Sequence, residues 1–172
     1  MTVRDGPESA VGSAHQGISV TLSADSNTAI VGGYLDNSGI GAAWVFVQPT
    51  VPFSAFSAKL AISSYQPRFT LSGDFVLGRT SNGINPLFEA VTLQIGSFTI
   101  TIPPGSFQMT KPGDYSFIGV IDSVTANVQI DLMSGSKYTF QAVVDASLIR
   151  TKSPATVTLT IGNDTGTMSV RF

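Results

Sequence analysis

With 172 residues, 12% of them charged, and a net charge of −2, the chain has room for one ordinary core, or one plus a small appendage, and offers no basic footprint for nucleic acid. Cysteine is absent, which excludes disulfides, thiol catalysis and cysteine metal sites. Mean hydropathy is +0.26, yet no apolar run approaches the ~20 residues of a membrane-crossing helix, so no membrane insertion is expected.

Charged side chains are about half as frequent as the roughly 25% of an ordinary soluble domain. So apolar a chain is expected to hide more surface than a lone monomer can, which points to partner copies. The many Ser and Thr residues suit solvent-facing strand positions and offer attachment points for O-linked sugars. No apolar core follows Arg4, as a signal peptide would require. An extracellular or cell-surface location is expected, with a signal removed or lying outside this sequence.

Residues 1–16 are small, polar and patternless, and read as an extended arm. Residues 17–22 alternate, with Ile18, Val20 and Leu22 on one face and Ser19 and Thr21 on the other. Asp25-Ser26-Asn27 is turn chemistry. A short second strand, 29–31, closes on Gly32-Gly33. After a loop at 35–41 comes a strand apolar on both faces: Trp44 and Phe46 on one, Ala43, Val45 and Val47 on the other. Such a strand must be covered twice, and the meander 17–47 supplies one layer. The expected assembly interface is Ile18, Val20, Leu22, Trp44, Val45, Phe46 and Val47, met by a neighbouring copy.

The stretch Gly17-Ile-Ser-Val-Thr-Leu-Ser-Ala-Asp-Ser-Asn-Thr-Ala-Ile-Val-Gly-Gly33, then Asp36-Asn37, then Gly41-Ala-Ala-Trp-Val-Phe46, resembles one bacterial FG-GAP (integrin-type β-propeller) repeat. The resemblance covers about a fifth of the chain and implies a single propeller blade. One blade cannot close a ring or bury both of its faces. Calcium-binding members of that family carry an Asp-x-Asp/Asn-x-Asp loop. Asp25 and Asn27 match it, but Ala29 replaces the third ligand, so no calcium is expected here.

Gln48-Pro49-Thr50-Val51-Pro52 opens a proline-containing linker, 48–57, and residues 53–58 are ambiguous, open to a short helical turn. From 58 to 172 the apolar residues alternate through about nine short strands: Leu60 and Ile62, Phe69 and Leu71, Phe75 and Leu77 beyond a bulge-prone Gly73, then further pairs to Phe172. This predicts an all-β fold, an immunoglobulin-like antiparallel β-sandwich preceded by a blade-like β-meander. Phe98, Ile100, Val128, Ile130, Phe140 and Leu159 are the expected core. Ile95-Gly-Ser-Phe-Thr-Ile-Thr-Ile-Pro-Pro-Gly-Ser-Phe107, Tyr115-Ser-Phe-Ile-Gly-Val120 and Val157-Thr-Leu-Thr-Ile-Gly-Asn-Asp-Thr-Gly166 resemble a C-terminal β-domain of secreted bacterial proteins. That family implies an extracellular sandwich without known catalysis.

Candidate chemistry is sparse. His15 is the lone histidine, so neither a transition-metal site nor a serine–histidine–acid triad can be drawn. Eleven scattered acids show no glycosidase-type pair; Glu89 and Asp131 lie near strands without visible partners. Lys59, Lys137, Asn127 and Glu89 supply the residue types of an isopeptide bond but not their proximity. Asn163-Asp164-Thr165 is an N-glycosylation sequon, with Asn163 the candidate, although a hairpin turn explains the same residues. Trp44, Tyr34 and Tyr65 are available as sugar-stacking aromatics. The reading is a secreted, non-enzymatic structural subunit that needs no cofactor or metal and assembles with copies of itself, as an extracellular filament built by strand or sheet complementation. The alternative is an adhesive or carbohydrate-binding module of a larger surface protein.

Overall fold

Alternation with a period of two writes strands along nearly the whole chain, and the computed structural model is all-β, with mostly antiparallel ladders. It describes residues 2–5, 10, 14–23, 27–63, 68–145 and 152–172. Two compact units divide the chain, Met1–Pro49 and Thr50–Phe172.

In the first unit, β1 (Thr2–Asp5), β2 (Gln16–Leu22), β3 (Thr28–Gly33) and β4 (Ala42–Val47) form one sheet in the order β1-β4-β3-β2. β2, β3 and β4 are the expected antiparallel meander. β1 was not expected: it runs parallel to β4, with Arg4 beside Trp44. The segment read as an arm therefore contributes an edge strand, and Ala14 is buried. Nothing in Thr2–Asp5 alternates strongly enough to announce a strand; its pairing partner is 40 positions away. A tight turn, Asp36–Gly39, joins β3 to β4, with Asn37 and Ser38 at positive φ.

In the second unit, β5 (Val51–Pro52), β6 (Ala55–Ile62), β7 (Arg68–Val76), β8 (Val91–Ile95), β9 (Phe98–Ile102), β10 (Gln108–Lys111), β11 (Asp114–Ile121), β12 (Val124–Ser134), β13 (Lys137–Asp145), β14 (Ala155–Ile161) and β15 (Asp164–Val170) make two sheets. Their orders are β10-β11-β12-β13-β7-β6 and β5-β15-β14-β8-β9. Inward residues of both, among them Leu71, Val128, Ile130, Phe140, Leu93 and Leu159, share one buried cluster. Full burial of each such side chain is worth ~1.5–3 kcal/mol, which makes this sandwich the main source of stability. Phe98 departs from expectation, half-buried on the edge strand β9 against the Phe69 ring.

Three readings of the sequence are corrected here. The linker 48–57 is shorter than expected, because Val51–Pro52 pairs parallel with Asp164 and Thr165 of β15. Residues 53–58 are not a helical turn: Phe53 stacks on Phe75 at 4.5 Å, and β6 begins at Ala55. Gly73 carries no bulge, and both its ladders run through it in unbroken register. The ring cluster at Phe53 and Phe56 has a further requirement. A Cβ on Gly166 would lie 2.5 Å from the Phe53 ring and 2.8 Å from the Phe56 ring, so only glycine fits there.

Candidate functional site

β2 ends its sheet in the order β1-β4-β3-β2, with no strand on its other side among the described residues. All seven of its residues are exposed. Ile18, Val20 and Leu22 stand 62–63% exposed. The register places Val20 beside Val31 and Trp44, and Leu22 beside Ala29 and Phe46. Directly opposed residues share a sheet face, so this row continues across to Phe46, which is also exposed. Val47 is exposed on the opposite face and Val45 is half-buried. Beside Ile18 lies a hollow of about 340 Å³, lined by Gly33, Tyr34, Ile40 and Ala42.

Trp44 must be removed from the expected interface. It is fully buried within its own unit, packed with Ala14, Ala42 and Ala10. Its ring also covers Gly33, where an added Cβ would sit 2.7 Å from the indole and 2.6 Å from the Ala14 carbonyl. Ala10 and Ala14 supply cover that β4 needed at Trp44. Trp44 is equally unavailable as a sugar-stacking platform. Tyr34 is half exposed and packs edge-on against His15 at 5.6 Å; Tyr65 and Asp25 lie outside the described residues.

Asn163 is likewise corrected. It occupies the two-residue turn between β14 and β15, after Gly162 at φ +57, and is 6% exposed. Its enclosed amide leaves a glycan no path to solvent, so the sequon is a turn sequence. Next to it, Asp164 is fully buried. Its Oδ2 accepts a hydrogen bond from the Ser81 hydroxyl at 2.9 Å, while its Oδ1 meets no donor among the described residues. Burial pushes this carboxyl above the usual aspartate range, and the Ser81 bond only partly offsets that. Glu89 is also raised, first by burial and then by Asp164, although the Asn85 N–H donates to its Oε2 at 2.6 Å. No local spacing hints at this cluster, because Ser81, Glu89 and Asp164 come from separate loops and strands.

Much of the outward face of the six-stranded sheet is polar, although Ile118 and Val120 of β11 stand exposed on it. One row runs Ser116, Gln129, Gln141, Ser72 and Lys59 across five strands, and the next runs Asp131, Thr139, Asp74 and Ser57. A groove of about 450 Å³ follows these rows between Lys59, Asp74, Asp131 and Gln141. A smaller hollow of about 170 Å³, lined by Asn127, Gln129 and Val143, shares Gln141 with it. Ser57 donates to Asp74 at 2.7 Å.

The isopeptide set is not assembled: Lys59 and Asn127 lie on the outward sheet face, whereas Glu89 sits beside Gly162 in a loop. Among the described residues, no group of three or more His, Cys, Asp or Glu side chains is placed to hold a metal ion, and no helix is long and apolar enough to cross a membrane. No protein-family model, curated protein or solved structure matches this chain.

Proposed function

We propose that the protein is an extracellular structural subunit that assembles with copies of itself by strand addition at β2. The observation that carries this reading is the edge itself: seven exposed residues, Gln-Gly-Ile-Ser-Val-Thr-Leu, with an apolar row and no charge. Edge strands are ordinarily protected by lysine, proline, inward charges or a cover, since their free N–H and C=O groups template pairing. β2 has no lysine, proline or charge. Strand addition supplies main-chain hydrogen bonds, and side-chain pockets beside the edge supply selectivity; the hollow next to Ile18 is such a pocket. A contact of this kind between unlike surfaces repeats without closing unless its geometry makes a ring. The low content of charge supports the same reading, because little repels a second copy.

The test is light scattering over a concentration series, followed by negative-stain electron microscopy. Wild-type protein is expected to form filaments or rings as concentration rises, and Val20→Lys to stay monomeric with an unchanged melting temperature. A wild-type chain that remains monomeric at high concentration overturns the proposal.

A further inference from the structure

We infer that the outward face of the six-stranded sheet binds an extended, neutral polysaccharide. Polar residues on the outside of a sandwich are ordinary, so the inference rests on how the two outward faces differ. On the five-stranded sheet the hydroxyls satisfy one another across strands: Thr92 with Thr101 at 3.0 Å, Thr158 with Thr167 at 2.9 Å, Thr160 with Thr165 at 2.9 Å. That face spends its hydrogen-bonding capacity on itself. On the six-stranded sheet Ser57 bonds Asp74 and Arg68 pairs with Asp145, but among the described residues no hydrogen bond joins the side chains of Gln129, Gln141, Ser72 and Thr139 and no ion pair engages Lys59. Their donors and acceptors stand in register and face outward.

The chemistry of the lining selects the ligand class. Amide, hydroxyl and carboxylate groups at fixed spacing suit the paired donors and acceptors of vicinal diols. The groove walls present no cluster of cations for a phosphate or a polyuronate. Lys59 stands against Asp74 and Asp131 in the same groove, which disfavours a polyanion further. Shape agrees with this. The two hollows share Gln141, and the larger crosses β12, β13, β7 and β6; four strands at ~4.8 Å spacing give a run of about 15 Å. One strand spacing is close to the length of one pyranose unit, so successive strands can meet successive sugars. Asp74 is held in place by Ser57, which orients one carboxylate along the floor.

Affinity gel electrophoresis of the whole chain tests this, with dextran, galactomannan, xyloglucan and mixed-linkage β-glucan as neutral polymers and polygalacturonate as the acidic one. Retardation by at least one neutral polymer is expected, with none by polygalacturonate. Gln141→Ala combined with Thr139→Ala should weaken the retardation at least tenfold while melting temperature stays constant. Should that pair disturb folding, Gln129→Ala and Asp131→Asn are the second variants, and each should weaken it severalfold. Asp145→Asn, outside the groove, should leave it unchanged. No retardation by any neutral polymer, retardation by polygalacturonate alone, or full binding by the folded groove variants overturns the inference.

Discussion

Asp164 is a carboxylate held away from water with one hydroxyl bond and no ion pair among the described residues. A buried charge is costly unless paired. Because the folded-state pKa lies above the unfolded one, the unfolded chain releases this proton first. The stabilisation is then complete in acid and is lost as pH rises out of the ordinary aspartate range. Glu89 acts in the same direction. Asp145, bonded by Arg68 at 2.6 Å, and Asp114, beside Lys111, are lowered and act oppositely, so the comparison must be between variants. Asp164→Asn is expected to melt higher than wild type in neutral buffer, with the gap closing in acid. An Asp164→Asn variant that melts well below wild type at neutral pH would show that the ionised form is stabilised. Trp44 teaches a complementary lesson at this scale. Its demand for cover was legible in the alternation of Ala42–Val47, but the identity of the cover, Ala10 and Ala14 on a patternless segment, was not.

At the scale of elements, alternation located most strands and lost the short ones. β5 has two residues, one of them proline, and reads as a linker until Asp164 and Thr165 are seen beside it. The Val51 N–H donates to the Asn163 carbonyl at 2.8 Å and the Phe53 N–H to the Thr165 carbonyl at 2.7 Å. Cutting the chain there has a cost. A fragment of residues 50–172 is expected to fold, whereas one starting at residue 54 loses β5 and the buried Phe53 ring, worth about 3–5 kcal/mol by comparison with Phe→Ala substitutions. Chemical denaturation of the two fragments checks this, and equal midpoints would show that β5 is dispensable. β2 is the opposite case: its pattern was plain, and its importance comes from what the fold leaves beside it. A strand reads the same in sequence whether it is central or at an edge.

For the whole molecule, an apolar edge and a low charge content mean that the proposed assembly at β2 would rest on desolvation more than on ion pairing. Assembly of wild-type protein is therefore expected to change little between low and moderate sodium chloride, where exposed charges become screened. It should strengthen in ammonium sulfate, which is excluded from protein surfaces. Dissociation of the assemblies by moderate sodium chloride would place the driving force in charge pairs and count against the β2 edge. The candidate surfaces differ in how they could be read. The β2 row was named from its residues, while the groove combines Lys59, Asp74, Asp131 and Gln141 from four strands, and no local spacing connects them.

Period-two alternation was enough to set the all-β class and most of the sandwich core, because both follow from neighbours one and two positions apart. Pairing across the chain decided the rest. It turned an apparent arm into β1 and the cover of Trp44, enclosed Asn163 in a turn, buried Asp164 beside Ser81, and placed β2 at the end of its sheet. Strand order and register bring together residues separated by more than a hundred positions, as Val51 and Asp164 are, and burial depends on those neighbours; a linear pattern states that a side chain needs covering but not what covers it.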